Sequence, residues 1–314
     1  MRGVGRPLVT IGLPVRNAGG TILATLKSIF AQTCTRWELL VVDDGSTDNG
    51  LDIVRRIRDP RVRVFADGCN RGLSARLNQI ALLTRGEYLA RMDADDLMHP
   101  DRLRRQVEAL DADQTLDVTG TATYTMDAAG VVKGVRGLAR ADTSLAAVVA
   151  RGLFIHPTVT GRTAWFRRHP YDGRFVRAED RELWCRTAGV SRFALVAEPL
   201  YFYREGGTGT LAKYIESCRT NRAIYRRYGP AAAGWVWTAR RLATSHLKAA
   251  AYCLAVWTGR EADLLALRNG PLSEANRADV EQALAVIRST PVAGWDDRGE
   301  PNGRINDADQ VGRS

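Results

Sequence analysis

The residues best equipped for chemistry are three carboxylates, Asp93, Asp95 and Asp96, which abruptly end the apolar run from Tyr88 to Met92. Side chains two apart on an extended chain point the same way, so Asp93 and Asp95 can converge on one object. Two carboxylates held together repel unless a cation sits between them. Mg2+ or Mn2+ suits that arrangement, because such ions bind through one or two carboxylates and complete their shell with substrate phosphates. Two further acidic pairs stand out: Asp43 and Asp44 ahead of Gly45-Ser46, and Glu179 and Asp180 ahead of Leu183-Trp184. Each has a plain structural alternative. Asp96 and Asp101 could end a strand and cap a helix, Asp-Gly is a common turn pair, and acidic residues favour a helix amino end. His156, before Pro157, could approach a metal or an acceptor, although a histidine in that setting is also a simple structural residue.

The elements that must hold these groups follow from hydrophobic spacing. Leu8 to Leu13, Glu38 to Val42, Val62 to Phe65 and Glu87 to Met92 read as strands. Between them, Ile22 to Phe30, Leu51 to Ile57 and Leu73 to Leu83 carry apolar residues at helical intervals. Strand and helix alternating every 30 or so residues predicts an α/β fold, a mainly parallel central sheet with helices on both faces. Ligands bind outside the carboxyl ends of such strands. Three of those ends are polar: Pro14 to Asn17, Asp43 to Ser46, and Asp93 to Asp96. Neither a dinucleotide fingerprint nor a phosphate-binding P-loop occurs. Past Leu110 the rhythm changes. Val118 to Tyr124 and Val131 to Val135 predict an antiparallel hairpin, Ser144 to Arg151 a helix, His156 to Thr158 the start of an extended piece, and Phe193 to Tyr203 a last strand. Arg204 to Thr210, rich in Gly and Thr, could close over a ligand.

With 314 residues and 45% apolar content the chain can bury a full core. Its five cysteines are scattered and odd in number, which argues against a disulfide framework or a zinc site and for a reducing, cytoplasmic setting. No apolar run approaches membrane-spanning length. The net charge of +10 is uneven: from 204 to 270 there are eleven Arg or Lys against four Asp or Glu. That segment implies an acidic partner surface. Nucleic acid is not expected, because lysine-rich arms and base-stacking aromatic motifs are absent. Tyr214 to Tyr228 and Ala239 to Trp257 read as basic amphipathic helices, suited either to an anionic membrane, peripherally on its inner face, or to packing within the protein or in a homo-oligomer. Residues 205–290 are thus expected as a C-terminal helical extension, and 291–314 as a disordered tail.

Together, five blocks in order resemble the family 2 glycosyltransferases, which transfer a sugar from a nucleotide donor with inversion and share the Rossmann-like GT-A fold. They are Val9 to Asn17 with Gln32-Thr33, Glu38 to Asp48, Asn70 to Asn78, Met92 to Asp96 with Pro100, and Ala178 to Asp180 with Leu183-Trp184. The resemblance covers about Leu8 to Arg204 and implies a catalytic domain over 1–204. It implies that Pro14 and Asn17 shape the base pocket, Asp44 accepts a hydrogen bond from the base, and Arg76 faces the donor, with Asp43 and Ala94 beside them. It further implies Asp93 on the ribose or metal, Asp95 on the metal, Asp180 as general base, and Glu179 as its orienting neighbour. Mn2+ or Mg2+ is the implied cofactor, a UDP-sugar or dTDP-sugar the donor, and a cell-envelope glycan or lipid-linked sugar the acceptor. Arg16 stands where the family often has an aromatic residue, and Gln79-Ile80 replaces small residues. The Gln-x-x-Arg-Trp motif of polymerising relatives is missing, which favours addition of a single sugar. The alternatives are a nucleotidyltransferase acting on a sugar phosphate and a non-catalytic, basic nucleic-acid-binding protein.

Overall fold

The computed structural model describes residues 6–139, 142–205, 211–258 and 269–295. Strands β1 (Val9–Val15), β2 (Trp37–Asp43), β3 (Val62–Phe65) and β4 (Tyr88–Arg91) alternate with α1 (Ile22–Phe30), α2 (Gly50–Arg55) and α3 (Leu73–Leu83). These strands pair in parallel in the order β3-β2-β1-β4. Strand β2 shows why both faces are covered. Leu39 and Val41 enter one core with Ile22, Leu26 and Ile29, whereas Leu40 and Val42 enter the other with Leu77 and Ile80. A continuous apolar run is what a strand buried on both sides requires.

The second half is mixed. It comprises β5 (Leu97–Met98), α4 (Arg102–Ala112), β6 (Val118–Met126), β7 (Val132–Arg136), α5 (Leu145–Arg151), β8 (Thr160–Arg162), α6 (Thr163–Arg168), α7 (Glu179–Thr187) and β9 (Phe193–Arg204). The sheet continues β4-β8-β6-β9-β5, with β7 on β6. Strands β8, β5 and β7 pair antiparallel, and only β6-β9 returns to parallel. The sheet is wholly parallel through its first four strands and mixed beyond them. His156 to Thr158 is a 3-10 turn and not an extended piece. Pro157 has no N–H for a ladder, and the chain turns instead, Thr158 N and Oγ1 both donating to Ile155 O.

After β9, helix α8 (Leu211–Trp257) breaks at Ala233 and Gly234, the latter at φ +81°, a left-handed conformation suited to glycine. Residues 235–257 fold back along 211–232: Tyr214 and Tyr252 stack with centroids 3.9 Å apart, and Gly229 lies against Thr238. Helix α9 (Glu274–Ser289) seals the far end of the sheet, burying Val280, Ala283 and Ile287 against Tyr124, Val135 and Phe202. Of the tail expected to be disordered, Val292 and Trp295 are buried in the core with Ile53 and Val54; residues 296–314 lie outside the described residues. So do residues 206–210 of the expected closing segment.

Candidate active site

The carboxyl ends of β1, β2 and β4 meet at one edge, as parallel pairing demands. At the β2 end the carboxylates are consumed by the protein. Asp43 accepts from Gly45 N and Ser46 N at 3.0–3.3 Å, holding a turn in which Gly45 takes φ +73°. Asp44 accepts from Arg71 N (2.7 Å), Gly72 N (3.1 Å) and Arg76 Nε (2.9 Å). Arg76 is almost completely buried and also donates to Asp67, Gln79 and the Cys69 carbonyl. With that many partners Arg76 organises the 67–72 loop, Gln79 being one of them, and it also lines a cavity beside Pro14 and Asp44. Asn17, at φ +52°, accepts from Thr47 N at 2.8 Å and ties the β1 and β2 ends together.

The β4 end is different. Asp93, Asp95 and Asp96 bring one carboxylate oxygen each within 4.8 Å of one another. Asp95 is exposed, yet desolvation by the protein around it, then the Asp93 charge, holds its carboxyl above the ordinary pKa; the buried Asp96 is pushed up well above by burial and by both neighbours. Asp96 Oδ1 accepts from Arg204 N at 2.7 Å. Its Oδ2 is buried without a hydrogen bond of ordinary geometry, although the Tyr201 hydroxyl and the neighbouring charges act on it. Hard oxygen donors that crowd one another, one of them orphaned, are a donor set a divalent cation would complete. The residues present therefore fit such an ion. Ala94 faces the other way, its carbonyl accepting from Thr21 and Thr25 of α1.

Two arginines position this loop. Arg91 ends β4 and grips Asp93 through both terminal nitrogens at 2.9 and 3.1 Å. Behind it, fully buried Arg102 donates to Arg91 O and Val159 O at 2.9 and 3.2 Å, its pKa lowered to about 10 by burial. The sequence reading gave Arg91 no role. The available signal was a cation inside an apolar strand, two residues before an aspartate and hence on its side. The Gln32-Thr33 pair is likewise positional: Gln32 bridges His99 O and Leu103 N, and Thr33 bonds Asp101.

Two cavities open on this edge. One, of about 650 Å3, has Pro14, Arg16, Asp44, Arg76, Arg177 and Glu179 on its walls. The other, of about 490 Å3, is lined by Arg91, Asp93, His156, Arg177, Glu179, Asp180 and Arg181, with Arg136 and Arg151 at its rim. Arg177 and Glu179 belong to both. Arg177 holds φ +64°, an uncommon conformation for a side-chain-bearing residue, and pairs with Glu216 at 3.0 Å. Asn17, Asp43 and Ala94 do not line either cavity; their hydrogen bonds hold the strand ends that border them.

Glu179 and Asp180 open α7 inside the second cavity. Burial raises both carboxyl pKa values. For Glu179 the Asp180 charge adds to it; for Asp180 the Arg181 N–H and the Arg181 and Arg91 charges offset part of it. His156 shares the cavity, but its Nε2 lies 2.9 Å from the Tyr171 hydroxyl, and burial beside Arg91 keeps its pKa well below the ordinary value. It is not among the cluster suited to a metal. The edge thus offers a cation site, an adjoining cavity, and a raised carboxylate beside it.

Against known families, residues 10–175 match the model described as glycosyl transferase family 2. The chain belongs to that family. Putative glycosyltransferase EpsE of Bacillus subtilis is 32% identical over 208 residues, which is 63% of this chain and 73% of that protein. Succinoglycan biosynthesis protein ExoO of Rhizobium meliloti is 41% identical over 106 residues, 34% of this chain and 30% of that protein. Among solved structures, S. aureus TarS 1-349 in complex with UDP-GlcNAc aligns with TM-score 0.57 at 18% identity, covering 90% of this chain and 81% of that one. Mannosyltransferase PcManGT from Pyrobaculum calidifontis, in complex with GDP-Man and Mn2+, aligns with TM-score 0.56 at 19% identity, covering 90% and 85%. At such identities the structural likeness establishes the GT-A fold. Family membership makes this chain a glycosyltransferase, and the nucleotidyltransferase and non-catalytic readings fall away.

Proposed function

We propose that this glycosyltransferase moves one sugar, with inversion, from a nucleotide-sugar donor to an acceptor hydroxyl, using a divalent cation, in the synthesis of a polysaccharide or glycolipid. The observation that carries the reading is the pair of adjoining cavities, one running from Pro14 and Asp44 to Glu179, the other holding both Asp93 and Asp180. The first suits the nucleoside, and a UDP-sugar or dTDP-sugar is the proposed donor. Relatives and structural neighbours named for UDP-GlcNAc, GDP-Man and succinoglycan support the substrate class. Asp93 and Asp95, with Asp96 beside them, would hold Mn2+ or Mg2+, which when bound offsets charge on the departing nucleoside diphosphate.

Asp180 supplies the base. Its carboxylate takes the proton from the acceptor hydroxyl as the acceptor oxygen bonds to the anomeric carbon and the bond from that carbon to the diphosphate breaks. Arg181 and Arg91 favour the ionised form that this step needs. Glu179, in the same first turn of α7, orients the acceptor. Arg136, Arg151 and Arg181 line the acceptor cavity, already bonded to Glu205, Asp142 and Asn221, and an acceptor carrying negative charge, such as a lipid-linked sugar diphosphate, would compete for them. The catalytic unit is proposed as residues 1–204, with 205–290 as a helical extension. A cytoplasmic setting is supported by five cysteines that are all free.

Titration of nucleoside diphosphates with and without Mn2+ tests the donor half. Metal-dependent tightening is expected in the wild type and should vanish in Asp95→Ala with the fold intact. If the variant keeps metal-dependent binding of wild-type strength, the metal site is misplaced.

A further inference from the structure

Residues 235–257, the second half of α8, present an apolar face to solvent. Trp235 is 74% exposed, Val236 70%, Leu247 71%, Leu254 58% and Trp257 83%. At about 3.6 residues per turn these side chains, with alanines, Cys253 and His246 between them, fall on one side of the helix. Thr238, Ser245 and Tyr252 fall on the other, and those are the residues it buries. Ordinary packing therefore accounts for one side and leaves the other uncovered among the described residues. A contiguous apolar face on this scale marks an interaction site.

Its charge says which partner it fits. Between Glu216 and Glu261 the chain has no carboxylate and eight Arg or Lys. Arg240 and Lys248 stand exposed on this helix, and Arg241 packs its guanidinium 4.9 Å from the Trp237 ring. The apolar residues also recur at alternating intervals of four and three, a spacing that two copies could use as a coiled-coil seam. In such a pair Arg240 would sit in the seam opposite cationic neighbours with no carboxylate to meet. Lipid phosphates supply that negative charge, and tryptophans at both ends suit the water–lipid boundary. No helix among the described residues is long and apolar enough to cross a membrane, so the contact lies along the surface.

We infer that the face bearing Trp235, Val236, Leu247, Leu254 and Trp257 docks the enzyme on an anionic lipid bilayer, with Arg240 and Lys248 at the headgroups. The helix lies in the interface plane, its apolar side in the acyl boundary. This docking needs no assumption about the catalytic residues, and its test reads binding without activity.

The full chain is sedimented with phosphatidylcholine vesicles and with vesicles also containing phosphatidylglycerol. Binding to the anionic vesicles should be stronger by an order of magnitude or more, on the order of five-fold per basic residue at the surface, and should weaken as salt rises. The double variant Leu247→Glu/Leu254→Glu should lose it, and Arg240→Gln/Lys248→Gln should weaken it roughly 25-fold. Val190→Ser, an equally exposed apolar position elsewhere, should bind as wild type. Far-ultraviolet circular dichroism and thermal unfolding of every variant verify the fold. The inference is overturned if both vesicle types bind alike or if the glutamate variant binds as wild type. It is equally overturned if the intact chain binds no vesicle, including the case in which it is a dimer that the glutamate variant dissociates.

Discussion

The β2 and β4 strand ends are both tipped with acidic residues, yet they are built to opposite specifications. At β2, backbone N–H groups and Arg76 take up the oxygens of Asp43 and Asp44. At β4, three carboxylates crowd together, two with raised pKa values and one with a buried oxygen lacking an ordinary hydrogen bond. Asp93 is held by Arg91 and still belongs to the crowded cluster, whereas an acid whose oxygens are taken up by its own backbone, as at Asp43, is scaffold. One left short of compensation waits for a ligand, because burying uncompensated charge costs several kcal/mol per ion unless something arrives to pair it. The same logic separates α7, whose Asp180 stands in a cavity with a raised pKa, from the acidic turn at Asp43.

Substitutions that keep shape and remove charge test this contrast directly. The largest effect is expected at Asp180. Asp180→Asn should leave metal-dependent donor binding in place while transfer falls about 100- to 10,000-fold, the usual cost of losing a general base. Transfer at near wild-type rate would pass the role to Glu179.

Next comes the comparison of Asp44→Asn with Asp95→Asn. The first breaks a buried pair with Arg76 and should destabilise the protein by about 3 kcal/mol in urea unfolding. The second removes like-charge repulsion and should leave the metal-free protein at least as stable as wild type, while metal-dependent nucleoside diphosphate binding is lost. Equal destabilisation by both would erase the distinction between the two ends.

Smaller effects refine it. Because burial raises the Asp180 pKa, the acid limb of kcat/KM should lie above the ordinary aspartate range, activity falling as pH drops and the base takes its proton. Arg181 favours the ionised form, so Arg181→Gln should move that limb to higher pH; a limb that stays put would separate Asp180 from the observed titration. Arg177→Gly should relieve a left-handed backbone and raise stability by up to about 1 kcal/mol. It should also weaken donor binding, since Arg177 lines both cavities. A gain in stability with unchanged donor affinity would make Arg177 a bystander.

Much of this protein is local in origin. The apolar strand cores, the helical spacing between them and the acidic groups at strand ends lie within short windows of sequence, so composition and periodicity determine the alternating fold and point to Asp93 and Asp95, whereas Glu179 and Asp180 gain a role only through the family resemblance. Other features depend on partners far along the chain. That Arg76 turns into the protein depends on Asp44, Asp67 and Cys69 converging on it. That Arg91 grips Asp93 depends on Arg102 and Val159 fixing the end of β4. The insertion of β8 between β4 and β6, which changes the sheet from parallel to mixed, joins residues more than 40 apart. Periodicity shows which side of a helix is apolar, but whether that side is buried is decided by its neighbours. In α8 Gly234 folds 235–257 back onto 211–232 with Tyr252 inward, and the tryptophans at 235 and 257 are left facing water. Sequence spacing determines which side chains share a face; only tertiary packing decides which face is satisfied and which is left free to bind.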